Sequence, residues 1–144
     1  MDSIISENRI FLDIDIESKK ELIEKLATSF YEENIIEDID MFLKDIYKRE
    51  EEFSTHVGNY IAIPHAISKV VKQPAIAFLR ASNPFQFGND EEVQLAFMLA
   101  IPEDSNKEHL GMLSSLATKL MHKDFQEQLM NTQSKTEIIK LLDF

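Results

Sequence analysis

Residues 93–102 read Val-Gln-Leu-Ala-Phe-Met-Leu-Ala-Ile-Pro, apolar throughout except for Gln94. Ten residues are far too few to cross a bilayer as a helix. A continuous apolar run of this length has the character of a strand buried within a sheet. The chain must therefore build other strands beside it and a core around it.

Three further segments have strand character. Residues 9–16 alternate, with Ile10, Leu12, Ile14 and Ile16 expected on one side and Asp13 and Asp15 on the other. Residues 60–63 form a short β-prone run that Pro64 should stop, and residues 74–80 form another. Between and after these lie helical signals. Ser18 with Glu21 makes a capping box before Leu22, Ile23, Leu26 and Phe30. A second helix is expected from Asp38 or Asp40, carrying Phe42, Leu43, Ile46 and Tyr47 and ending near residues 49–51. Glu50, Glu51 and Glu52 follow Arg49 and read as a solvated acidic run, with a polar stretch over residues 52–59. Three more helices are expected at Ser105/Glu108, Asp124/Glu127 and Ser134/Glu137. Strands mixed with helices over one core define a layered α/β protein.

The length of 144 residues fits one domain over residues 1–144. The formal net charge of −11 disfavours nucleic acid and anionic membranes and favours a basic protein partner. There is no cysteine, so disulfides, thiolate nucleophiles and cysteine-ligated zinc are excluded. Residues 1–9 have no apolar core of signal length, so a cytoplasmic protein is expected.

The sequence has no GxxxxGK[ST] loop, no strand followed by GxGxxG, no HExxH and no GxSxG. It therefore lacks the usual glycine cradle for a nucleotide phosphate. Four histidines remain: His56, His65, His109 and His122. Imidazole suits reversible proton or phosphoryl exchange near neutral pH, because a neutral ring nitrogen is available as a nucleophile. His65 follows Ile61-Ala62-Ile63-Pro64, so it is expected at a strand end fixed by proline. From that setting alone, an ordinary loop histidine is an equally open reading. His109 falls in the first turn of a helix capped at Ser105, on the face of Leu113, Leu116 and Leu120. It could serve at an anion-attracting helix terminus or as a core-edge residue. Arg49 is either a helix C-terminal cation or a bidentate clamp for an anion. Ser54 and Thr55 could add hydroxyl donors. His56 and His122 read as surface residues, and no spacing supports a metal site built from His56, His65 and His109.

Arg49 and Glu50, then Ser54 and Thr55, Gly58, and the run Ile61-Ala62-Ile63-Pro64-His65 resemble one family. It is the fructose/mannitol type of enzyme IIA in the phosphoenolpyruvate-dependent sugar phosphotransferase system (PTS). A second block, residues 93–102 followed by Lys107, Glu108, His109 and Leu110 and then residues 113–117, is similar to the helix that bears that family's second histidine. Thr132 and residues 135–138 fit its closing helix. Phe53, His56, Tyr60 and Ala66 depart from the pattern, standing where many members have glycine.

The resemblance implies an α/β fold in which a mixed β-sheet is flanked by α-helices on both faces. It implies that His65 accepts a phosphoryl group from the phosphohistidine of the phosphocarrier protein HPr and passes it to a cysteine of an enzyme IIB. His109 is implied to stabilise the phosphoryl group or the tautomer, Arg49 to clamp phosphate and Thr55 to support the site. No cofactor or metal is implied. The absence of cysteine and of hydrophobic spans places the IIB site and the IIC permease on other chains. Nitrogen-type regulatory EIIA proteins share the same blocks, so control of other proteins by phosphorylation state is the alternative.

Overall fold

The computed structural model describes residues 4–104 and 107–143, with the backbone alone for residues 107–109. After a short 3₁₀ turn at Glu7–Arg9 the elements run β1 (Ile10–Ile14), α1 (Lys19–Glu32), α2 (Ile39–Glu52), β2 (His56–Gly58), β3 (Ile61–Ala62) and β4 (His65–Ser68). The chain continues through β5 (Ala75–Gly88), β6 (Glu91–Pro102), α3 (Lys107–Leu120), α4 (Lys123–Asn131) and α5 (Lys135–Leu141). The sheet order is β1-β5-β6-β3-β2, with β4 also paired to β6. β5 and β6 are antiparallel, while β1 on β5, and β3 and β4 on β6, are parallel. The sheet is thus mixed, as expected.

Each face of the sheet carries its own apolar core. One face presents Ala75, Ala77 and Ala81 of β5 and Ala96 and Ala100 of β6 to Leu22, Leu26, Phe30, Phe42 and Ile46 of α1 and α2. These alanines leave room for the two helices to lie close against the strands. The other face presents Ile76, Phe78, Leu95, Phe97 and Leu99 to Leu116, Leu120, Phe125, Leu129 and Ile138 of α3, α4 and α5. Alternation along β6 feeds both cores, which is why residues 95–101 are apolar at every position.

The helix starts follow their caps. Ser18 Oγ accepts from the Glu21 amide at 3.1 Å, Asp38 from Met41 at 3.0 Å and Ser134 from Glu137 at 3.2 Å. Each such cap is worth about 1 kcal/mol. The start expected at Asp124 is corrected: His122 occupies the N-cap of α4 and makes no side-chain cap. The expected Ser105/Glu108 box lies outside the described residues.

β1 corrects the simple alternation. Ile10 and Leu12 pack with the α3–α5 core, but Ile14 and Ile16 pack with the α1–α2 core beside Phe11. Between Phe11, opposite Leu79, and Ile14, opposite Ala81, β1 carries one extra residue. Asp13 takes up that residue with φ +56°, and the parity of side-chain direction inverts. The buried Arg80 secures the bulge, donating from Nε to Asp13 Oδ1 at 2.9 Å and from Nη2 to Oδ2 at 3.1 Å.

β5 runs eight residues past the expected end at Arg80. Asn83-Pro84 reads as a breaker, but Pro84 falls where the β5–β6 register shifts and no ladder hydrogen bond is demanded of it. Phe85 and Phe87 then return to the core.

Candidate active site

The site forms where one strand position on the edge of β6 is interrupted. β3 pairs with Leu95 and Ala96, and β4 resumes against residues 99–102 on the same edge. Between them stand Ile63 and Pro64. Pro64 has no N–H to offer a ladder, and its carbonyl accepts from Leu99 N at 3.0 Å. His65 is therefore not the loop residue after a terminated strand. It is the first residue of β4, opposite Leu99.

The His65 ring is half-buried. Nδ1–H donates to the carbonyl of Ile63 at 2.8 Å, since a carbonyl can only accept. Nε2 is then the nitrogen with the lone pair. Burial pushes the ring's pKa below the usual 6.5, and the Arg49 charge pushes the same way. The bond to Ile63 and the charge of Glu50 act in the opposite direction without offsetting these two. These surroundings favour the neutral ring, with its lone pair on Nε2.

α2 packs across β4 and brings the second residue in. Phe42, Ile46 and Glu50, spaced by four, form its buried stripe, while Asp45, Lys48, Arg49 and Glu52 turn to the adjoining face. With His65, Ala66 and Ile67 these four line an open cleft of about 330 Å³. Arg49 Nη1 donates to the Phe53 carbonyl at 2.9 Å, tying down the end of α2. That uses one of its five N–H donors. The larger groove of about 870 Å³ between β1 and α1 has no histidine among its described lining residues.

Thr55 is buried, and its hydroxyl donates to Glu50. Ser54 Oγ donates to Glu91 Oε1 at 2.7 Å. Neither hydroxyl proton is therefore directed at the cleft. His56 begins β2, and its Nε2 donates to the Glu92 carbonyl at 3.1 Å. His122 is exposed. His109 lies in the first turn of α3, and its side chain is outside the described residues.

Glu50 corrects the reading of residues 50–52 as solvated. Glu51 and Glu52 are exposed, but Glu50 is only 7% exposed. It accepts from Thr55 N at 3.2 Å and Thr55 Oγ1, and pairs with Lys19 Nζ at 2.9 Å. Its place four residues beyond Ile46 on the apolar stripe was the available sequence signal.

Tyr60, at a position where the sequence departs from an expected glycine, has left-handed backbone. Gly58, Asn59 and Tyr60 have φ of 93°, 51° and 65°, three successive left-handed residues between β2 and β3. The Tyr60 carbonyl accepts from both Gln94 and Leu95, which holds the turn against β6.

A half-buried imidazole at a proline-marked strand break thus shares one cleft with an arginine of the neighbouring helix. Over residues 3–144 the chain matches the family described as phosphoenolpyruvate-dependent sugar phosphotransferase system, EIIA 2. It is 34% identical over 127 residues to the PTS system fructose-specific EIIA component of Haloferax volcanii, covering 87% of this chain and 82% of that protein. It is 32% identical over 142 residues to the PTS system fructose-specific EIIABC component of Bacillus subtilis (97% of this chain), but spans only 22% of that protein. Among solved structures, nitrogen regulatory protein IIA-Ntr from Neisseria meningitidis superposes with a TM-score of 0.87 at 34% identity, covering 96% of each chain. Mannitol IIA from Escherichia coli gives 0.78 at 25% identity, covering 95% of this chain and 97% of that one.

The chain belongs to the type-2 EIIA family of the sugar phosphotransferase system and is a phosphotransferase component. Its fold, a mixed sheet with helices on both faces, matches those of the mannitol IIA and nitrogen regulatory IIA-Ntr structures. No helix among the described residues is long and apolar enough to cross a membrane.

Proposed function

We propose that residues 1–144 act as one EIIA domain in which His65 Nε2 carries a phosphoryl group between HPr and an enzyme IIB. The observation that supports this most is the bond from Nδ1–H to Ile63 O, which leaves Nε2 unprotonated in the half-buried ring. In the loading step the Nε2 lone pair forms a bond to phosphorus. The N–P bond of the carrier's phosphohistidine breaks, and its electron pair returns to the carrier's ring. The proton of His65 stays on Nδ1, so the phosphorylated ring is cationic and the Ile63 carbonyl faces that charge. In the unloading step a cysteine thiolate of enzyme IIB forms an S–P bond, the N–P bond breaks, and His65 returns to its neutral state. Such transfers need mainly alignment and charge stabilisation. Arg49 provides charge and donors for phosphoryl oxygens, and His109 is assigned the second stabilising place beside the ring.

The surroundings suit protein partners. Ile67, in the cleft, and Phe53, at the end of α2, are 54% and 77% exposed. The overall charge of −11 favours a basic donor surface. The permease IIC would be reached only through enzyme IIB.

Incubation with phosphoenolpyruvate, enzyme I and HPr is expected to give an acid-labile label on His65, and folded His65→Ala no label. Retained label in that variant overturns the assignment. A regulatory role is the second reading, favoured by the likeness to the Neisseria IIA-Ntr structure. Discharge of the labelled protein onto an enzyme IIB cysteine supports transport. Stable retention of label, with binding to another protein that depends on it, supports regulation.

A further inference from the structure

A carboxylate removed from water costs several kcal/mol unless it is well paired. Glu50 is such a group, sitting at the C-terminal end of α2, where the helix dipole also disfavours it. Three donors hold it: Lys19 Nζ, Thr55 N and Thr55 Oγ1. Lys19 is itself placed over the Phe87 ring, 4.4 Å from its centroid. A connected path leads from this carboxylate to the reacting ring. The Thr55 carbonyl accepts from Ile63 N at 3.0 Å, and the Ile63 carbonyl accepts from His65 Nδ1 at 2.8 Å.

Ile63 needs this support because it stands in the gap between β3 and β4, so its amide is held by Thr55 rather than by β6. We propose that Glu50 is a positioning residue for His65. Its carboxylate, anchored by Lys19, fixes Thr55 and thereby the Ile63 peptide that holds the proton of the ring on Nδ1. The proposal rests on His65 Nε2 being the phosphoryl acceptor. If Ile63 O swings away, the proton can move to Nε2, which then loses its lone pair.

The test is the imidazole tautomer, read by long-range ¹H–¹⁵N correlation on unphosphorylated protein above pH 6.5, the usual imidazole value. The wild-type protein is expected to show a single Nδ1–H form. Glu50→Gln and Thr55→Val are expected to populate both forms and to accept phosphoryl from HPr on the order of tenfold more slowly. Thr55→Ser, which keeps the hydroxyl, is expected to restore the single form. A purely structural role would lower stability and leave the tautomer unmoved. If circular dichroism shows folded variants and both Glu50→Gln and Thr55→Val keep the wild-type tautomer, the proposal is overturned. Should Glu50→Gln fail to fold, the Thr55→Val and Thr55→Ser pair decides alone. A wild-type protein that shows the single tautomer but takes no label overturns the carrier reading instead.

Discussion

His65 and Tyr60 are each set by their surroundings, the first in its charge state and the second in its backbone. Burial makes the charged form of His65 costlier than in water, so its acceptor capacity should extend below pH 6.5, where an ordinary imidazole is mostly charged. The rate of phosphoryl acceptance is expected to fall with acidity at a midpoint below that value. Rapid-quench labelling across pH 5–8 checks this, provided the donor's own titration is measured with a second acceptor; a midpoint at or above 6.5 contradicts the buried, Arg49-facing ring. At Tyr60 the left-handed backbone costs a non-glycine residue roughly 1–2 kcal/mol. Glycine there relieves the strain but has more freedom to lose on folding, by about 0.5–1 kcal/mol. Tyr60→Gly is therefore expected to stabilise the fold by about 0.5–1 kcal/mol, read as a higher urea midpoint with an unchanged slope. That His65 and Arg49 were worth examining was legible in the sequence, His65 from the strand-proline-histidine order and the resemblance, Arg49 from the resemblance, and both line one cleft. The burial of Glu50 was not legible, because it stands beside exposed acids and its spacing from Phe42 and Ile46 was the local sign of it.

At the scale of elements, the tightest cross-link is Arg80. Besides its two bonds to Asp13, Nη1 donates to the Leu129 carbonyl at 3.0 Å and to the Thr132 carbonyl at 2.7 Å, so one buried guanidinium joins β5, β1 and the end of α4. Arg80→Met fills much of the space but leaves these acceptors without donors. A loss of about 3 kcal/mol is expected, together with faster amide exchange around residues 129–133. Amide exchange unchanged there would mean that α4 is held by its apolar contacts alone. The helices were readable because their caps and 3.6-residue stripes are local signals. The short strand β4 was not, because its partner is distant in sequence, residues 99–102; β2 pairs with the neighbouring β3 but is only three residues long and carries no alternation to read. The side-chain parity of β1 was also hidden, since its inversion at Asp13 depends on an arginine 67 residues later.

Among the described residues, Asp13, Glu33 and His65 link stability to pH in the same direction between pH 3 and 8. Asp13 is held below its usual 3.8 first by the Arg80 hydrogen bond. Burial raises Glu33, but hydrogen bonds from Asn8 and Ser6 and the charge of Arg9 bring it net below 4.5. For both, the unfolded chain binds protons more readily, so their contribution is present above about pH 4.5 and lost as pH falls through the folded values. His65 adds a higher window, because its folded pKa also lies below the unfolded one, and stability starts to fall as pH drops below 6.5. Urea titrations from pH 8 to 3 are expected to show two declines. His65→Gln should remove the upper one and leave the lower.

The hydrogen-bond acceptor for the reacting ring belongs to the peptide unit of Ile63, not to its side chain. Genetic drift at residue 63 can therefore change the side chain without erasing that acceptor. Release would require a different course of the chain, such as an insertion between 63 and 65 or a residue at 64 that lets the main chain turn, so this device should tolerate substitution far better than it tolerates a change in length.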